Sequence, residues 1–170
     1  MAYTIVKAEK EHIPMISTIH AKSWKGGYEG IVPKSYLENL QEDAWINTFE
    51  NFFEKGMIQC AIAYDKEQPV GVVSFGKARE EKFSEYGEII SLYVLSEYFG
   101  KEVGKALLKY ALNCFANESV FQCYLWVLEE NKRGRRFYEK NGFYQTEDVC
   151  HVEIEKTVLK EIRYCKSSMK

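Results

Sequence analysis

The stretch Glu88-Ile-Ile-Ser-Leu-Tyr-Val-Leu-Ser-Glu-Tyr-Phe-Gly-Lys-Glu-Val-Gly-Lys-Ala-Leu-Leu108 decides the fold. Glu88 to Leu95 is too short for most helices and rich in Ile, Tyr and Val, which reads as a strand. Val103, Leu107, Ala111 and Phe115, with Leu108 and Leu112 alongside, then fall on one helical stripe, so an amphipathic helix follows. The loop between them holds Gly100 and Gly104. A strand that feeds such a loop into a helix aims unpaired backbone N–H groups and the positive end of the helix dipole at one spot. Lys101 and Lys105 add positive charge there. The junction suits a phosphate group, although glycines also serve merely to turn a chain into a helix.

Downstream, Val120 to Leu128 has strand character, and Asn131 to Lys140 reads as a helix with an Asn N-cap and Asn141-Gly142 as its stop signal. Phe143 to Glu147 and Val149 to Tyr164 are expected to be closing strands. Upstream, a strand from Tyr3 to Ala8 precedes a helix from His12 to Trp24, with Pro14 tolerated in the first turn and Gly26, Gly27 and Gly30 as breakers. Tyr36 to Leu40 and Ala44 to Phe53 supply short helices. Cys60 to Tyr64 and Pro69 to Gly76 form two strands around the polar turn Asp65-Lys-Glu-Gln68. Strands alternating with helices predict an α/β (α+β) architecture around a central mixed sheet. No repeat or low-complexity linker interrupts the chain, so residues 1–170 are expected to form one domain.

Lys and Arg total 23 against 25 Asp and Glu, a net charge of −2, and neither sign forms a long block. Nucleic acid is therefore not an expected partner. The chain shows no apolar leader at its start and nothing approaching the ~20 apolar residues of a membrane span, so a cytoplasmic location without membrane attachment is expected. Five cysteines (Cys60, Cys114, Cys123, Cys150, Cys165) lack any C-x-x-C pair, and His12, His20 and His151 are scattered. Neither set has metal-site spacing, and reduced structural thiols are the expectation.

A second segment, Leu125-Trp-Val-Leu-Glu-Glu-Asn-Lys-Arg-Gly-Arg-Arg-Phe-Tyr-Glu-Lys-Asn-Gly-Phe143, together with the first, resembles the GNAT superfamily of acyl-CoA-dependent N-acetyltransferases. Trp24-Lys-Gly-Gly-Tyr-Glu-Gly-Ile-Val-Pro33 with Tyr36-Leu37 looks like a bacterial version of that family's first helical region, and Arg163-Tyr164 is similar to its closing strand. The resemblance implies a mostly antiparallel sheet splayed at its centre, with the pantetheine arm of acetyl-CoA in the gap. It implies that backbone groups of Leu92, Tyr93 and Val94 pair with the pantetheine amides. Amides of Gly100, Lys101, Glu102, Val103, Gly104 and Lys105 would hold the pyrophosphate. Asn131 matches the Asn that orients the cofactor, and Tyr138 the Tyr that sits near the thioester sulfur. Glu88 occupies the place of a carboxylate that accepts the amine's proton; the alternative position, five residues before Asn131, is Trp126 here. Trp24 and Tyr28 are expected to line an acceptor pocket.

The implied reaction is direct transfer of acetyl from acetyl-CoA to a primary amine in a ternary complex, without a metal and with a homodimer left open. Glu80, Glu81, Glu85 and Glu88 cluster before the central strand and could draw a cationic amine, although an ordinary charged surface reads the same way. Phe99 and Glu102 replace the family's Gln/Arg and first Gly, and Gly134 stands where Ala is frequent. A catalytically silent acyl-CoA-binding or regulatory domain is the competing class because of the altered loop. Retention of both Glu88 and Tyr138 favours the enzyme.

Overall fold

The computed structural model describes residues 3–167. Seven strands form one sheet in the order β1-β2-β3-β4-β5-β7-β6. They are β1 (Thr4–Lys7), β2 (Gln59–Asp65), β3 (Gln68–Lys77), β4 (Gly87–Val94), β5 (Gln122–Leu128), β6 (Tyr144–Ile154) and β7 (Thr157–Ser167). Every pairing is antiparallel except β4 with β5. Five helices cover the sheet: α1 (Ile13–Gly27), α2 (Lys34–Asn39), α3 (Ile46–Glu54), α4 (Val103–Asn117) and α5 (Lys132–Lys140). The expected mixed, mainly antiparallel α+β architecture is thus observed.

Side-chain alternation divides the core into two layers. Ala61 and Ala63 of β2, with Val73 and Phe75 of β3, meet Val103, Leu107, Ala111 and Phe115 of α4, and Tyr138 of α5 joins this layer. Cys60, Ile62 and Val72 point the other way, to Ile16 and Ile19 of α1 and Phe49 of α3. The second face continues under α2, where Leu37 and Val32 pack on Leu128.

Several boundaries differ from the sequence reading. Gly26 and Gly27 do not stop α1 but form its last turn. A Cβ on Gly26 would lie 2.8 Å from the Cβ of Ser96, so close packing against the loop after β4 requires the glycine. The C-terminal region is one long hairpin rather than strands at 143–147 and 149–164. Its two-residue turn, Glu155-Lys156, has φ of 46° and 66°. Asn and Gly are the usual signals for positive φ at both positions, and neither is present.

At the centre of the sheet β4 and β5 pair only at Gly87↔Cys123 and Glu88↔Tyr124. One residue later β4 carries a bulge: Ser91 opposes Ser74 and Ile89 opposes Phe75, leaving Ile90 as the extra residue. A bulge bends and twists its strand, and from here to Val94 and Leu128 the two parallel strands diverge. A wedge-shaped gap therefore opens towards their C-terminal ends, where α4 and α5 begin.

Candidate active site

A cavity of about 680 Å³ fills this gap. It is lined along one edge by Glu88 to Val94, along the other by Trp126 to Leu128, and at its mouth by Gly100, Glu102 to Lys105 and Asn131. Because β4 and β5 do not pair here, the opening passes through the sheet and connects its two faces. Leu92 and Val127 belong to the α4/α5 layer, whereas Tyr93 belongs with α1 and α3 and Leu128 with α2.

On the α4/α5 face the chemistry is cationic. The first helical bond of α4 runs from Ala106 N–H to Glu102 O, which leaves the amides of Val103, Gly104 and Lys105 without partners inside the helix. Lys105 of α4 and Arg136 and Lys140 of α5 line the cavity, as does Arg133, whose guanidinium lies against the last turn of α1, 3.1 Å from where a Cβ on Gly27 would be. Arg133 has no hydrogen bond or ion pair among the described residues; its guanidinium stacks 3.4 Å above the ring of Phe99. A cation thus stands beside the loop even though Phe99 occupies the position where the family pattern has Gln or Arg. Glu102 takes φ of 66°, the left-handed conformation that favours glycine, and its carboxylate pairs with Lys105 at 3.1 Å.

Asn131 caps α5: its Oδ1 accepts from Gly134 N–H at 2.9 Å. A Cβ at position 134 would lie 2.6 Å from Asn131 Nδ2. Gly134 therefore makes room for the cap, offsetting a helix-propensity cost of about 1 kcal/mol.

Tyr138 is buried on the inner face of α5 and lines the cavity. Its hydroxyl has no protein partner among the described residues. Burial, then proximity to Tyr93, raises its pKa well above the ordinary phenol value. It is therefore held as a phenol, able to donate a proton.

The α1 face of the cavity is different. Glu88 is only 2% exposed, and its carboxylate accepts from Arg79 three times: Nη2 to Oε1 at 2.6 Å, and Nε and the backbone N–H to Oε2 at 3.1 Å each. Tyr28 and Tyr93 face each other with hydroxyls 3.5 Å apart. Burial raises the pKa of both, so both remain neutral hydroxyls. Behind Tyr93 lies His20, ring centroids 4.7 Å apart. Its pKa is lowered to about 4 by burial, and it is a neutral imidazole whose Nδ1–H donates to Ile16 O.

A model of the acetyltransferase (GNAT) family matches residues 21–143, which spans both walls of the gap and the loops at its mouth. The chain belongs to the acetyltransferase (GNAT) family. Membership makes it an acetyl-CoA-dependent acyltransferase. Among its relatives is YuaI of Bacillus subtilis (strain 168), an N-acetyltransferase, 30% identical over 129 residues that cover 75% of this chain and 73% of YuaI. A spermidine N(1)-acetyltransferase of Thermoplasma acidophilum is 25% identical over 150 residues, 84% of this chain and 89% of the relative. The crystal structure of the PaiA N-acetyltransferase of Thermoplasma acidophilum in complex with coenzyme A superposes with a TM-score of 0.76 at 23% identity, covering 98% of this chain and 99% of that one.

Of the residues singled out in the sequence, the acetyltransferase brings Glu88, Leu92, Tyr93, Val94, Gly100, Glu102, Val103, Gly104, Lys105, Asn131, Tyr138 and Tyr28 to one cavity. Two stand elsewhere. Trp24 packs behind the lining, 5.0 Å from Tyr28 and 5.3 Å from Trp45 between ring centroids. Lys101 is not part of the lining: its backbone N–H, expected at the pyrophosphate, donates to Tyr98 O at 3.2 Å, and its ammonium lies over the Tyr98 ring. The acidic cluster at 80–88 also needs correcting as a source of attraction. Glu80 pairs with Arg163 at 2.8 Å, Glu88 with Arg79, and Glu81 and Glu85 are exposed outside the cavity lining.

Sequence reasoning missed Arg79 and Glu161. Arg79 lies just beyond the last paired residue of β3, and its meeting with Glu88 depends on a register that the bulge at Ile90 shifts by one. Glu161 comes from β7, opposite Leu128. Without the turn at 155–156, no local signal assigned its face.

Proposed function

We propose that this acetyltransferase passes an acetyl group directly from acetyl-CoA to a primary amine, the cofactor approaching from the α4/α5 face and the amine from the α1 face. The observation that carries the reading is the cavity through the sheet, with the free amides of α4 and the basic side chains of Lys105, Arg136 and Lys140 at one end, tyrosines and acids at the other, and Arg133 between them. Phosphates belong with the first set. A cationic amine belongs with the second.

In this reading the amides at the start of α4 hold the pyrophosphate, with Arg133 beside them. Backbone groups of Leu92, Tyr93 and Val94, freed by the splay, pair with the pantetheine amides, and the Asn131 Nδ2 group helps to orient the arm. Tyr138 protonates the departing thiolate. An alkylammonium has a pKa near 10 and must lose a proton before it attacks. Glu88, which lines the cavity, receives that proton through water. The test is release of free CoA thiol from acetyl-CoA by the purified protein across a panel of amines. Tight acetyl-CoA binding without amine-dependent release would favour the catalytically silent domain.

Glu102 provides a further check. Relief of its left-handed backbone is worth about 1–2 kcal/mol, against about 0.4–1 kcal/mol for the added freedom of glycine in the unfolded chain. Glu102→Gly is therefore expected to be more stable by up to about 1 kcal/mol, a melting temperature higher by about 2–4 °C. It should also bind acetyl-CoA more tightly, because Lys105 loses its carboxylate partner and a negative charge leaves the loop. Calorimetry showing unchanged or weaker binding would mean that the carboxylate assists the loop.

A further inference from the structure

With Glu88 neutralised by Arg79, the charge on the α1 face of the cavity comes from a different residue. Glu161 lines the cavity and, by its register opposite Leu128, projects onto the α1/α2 face with the aromatic side chains. Its carboxylate is within 4.0 Å of no cation among the described residues; its one protein partner there is the Cys150 thiol, which donates to Oε2 at 3.3 Å. Tyr28 and Tyr93 both feel its negative charge, an effect secondary to their burial. A half-buried acid with no counter-ion among the described residues, lining one cavity with neutral tyrosines, is suited to a cationic ligand.

Which nitrogen of the acceptor supplies that cation follows from the reaction. The attacking nitrogen must be neutral when it meets the thioester, so a carboxylate that bound it as an ammonium would stabilise the unreactive form. Only a charge kept through the transition state contributes to rate at low substrate. Resting on the transfer reading above, we infer that Glu161 is the specificity-determining residue of the acceptor site. It binds a second, non-reacting ammonium of a diamine or polyamine chain, with the rings of Tyr28 and Tyr93 flanking the methylenes.

The experiment compares a short alkyl diamine with the monoamine of the same chain length, in wild type, Glu161→Gln and Glu161→Asp, following CoA thiol release, with acetyl-CoA affinity by calorimetry as the check on folding. Wild type is expected to prefer the diamine. Glu161→Gln should lose about 10- to 100-fold in kcat/KM for the diamine, mainly through KM, the scale of one charge-assisted hydrogen bond. Its monoamine kinetics and acetyl-CoA affinity should hold, and Glu161→Asp should recover part of the preference. Equal losses for both amines would overturn the assignment, since they would place Glu161 in proton transfer or in structure. A preference that survives Glu161→Gln would also overturn it, while leaving the transfer reading intact. Wild-type protein that binds acetyl-CoA but acetylates neither amine would overturn both.

Discussion

Tyr138→Phe is expected to lower kcat by about ten- to a thousand-fold while acetyl-CoA affinity and melting temperature stay close to wild type. The substitution is clean because the ring, not the hydroxyl, holds Tyr138 in place. Its ring packs against Phe137 and Phe143 at centroid distances of 5.1 and 5.6 Å, and no group among the described residues depends on its oxygen. Phenylalanine keeps those contacts and leaves no partner orphaned. What disappears is a cavity-lining hydroxyl that burial keeps protonated. The thiol that leaves has a pKa of about 8.5, so its thiolate can depart unaided, only more slowly. This is why a partial loss is expected rather than abolition. Since burial raises the Tyr138 pKa above its ordinary value, the acid form persists throughout the neutral range, and loss of the phenol should produce no basic limb in kcat below about pH 10. Full kcat in the variant, or an acetylated cysteine trapped during turnover, would refute direct transfer assisted by Tyr138. Cys60 and Cys123 are poor candidates for such an intermediate, because burial pushes both thiols up to about 12.

Arg79→Met is expected to be the most destabilising change at the site, by about 3 kcal/mol. The pair is asymmetric: the Glu88 side chain is 3% exposed and that of Arg79 44%. Removing the arginine strands a carboxylate among the groups around β4 and Tyr124, where water reaches it poorly. Removing the glutamate leaves a guanidinium that turns into solvent. Glu88→Gln should therefore cost much less stability than Arg79→Met, whose melting temperature should fall by about 6–12 °C for a chain of this size. The double variant Arg79→Met, Glu88→Leu should recover most of that loss, since an apolar replacement carries no desolvation cost. Thermal or urea unfolding of the three proteins checks the order. Equal losses for the two single variants would show that the pair, rather than the buried charge, sets the energetics. The same series bears on catalysis: the double variant should remain folded yet acetylate amines poorly if Glu88 takes the proton.

Much of this protein is written locally. The alternation in Cys60 to Tyr64, the stripe Val103-Leu107-Ala111-Phe115, the polar turn after Asp65 and the Asn131 cap are set by neighbours within a few residues, so periodicity and capping chemistry suffice to place them. The loop from Gly100 to Lys105 is legible for the same reason: a strand, a turn and a helix start follow one another in sequence and leave amides free at the first turn of α4. Tyr138 and Asn131, seven residues apart on one helix, keep a relation that no tertiary packing alters. Where local signals are absent, local reading stops. Glu155-Lys156 adopts a turn normally marked by Asn or Gly because the long ladder between β6 and β7 holds it there, and Glu102 sits in a glycine conformation because the loop around it imposes that shape.

Tertiary structure alone decided the charges of the site. A carboxylate's role depends on what stands within a few ångströms of it, and for Glu80 and Glu88 those neighbours, Arg163 and Arg79, come from elements whose register the sequence does not print. Four acids that look equivalent along the chain become two neutralised pairs and two solvated side chains. Glu161, seventy-three residues from Glu88, becomes the uncompensated acid of the cavity because the β5–β7 ladder sets it opposite Leu128. The sequence by itself determined the fold, the strand–loop–helix junction at 100–105 and the spacing of Asn131 and Tyr138, which rest on short-range order. Which acid of the cavity lacks a counter-ion among the described residues rests on strand pairing over long separations and on one bulged residue, Ile90.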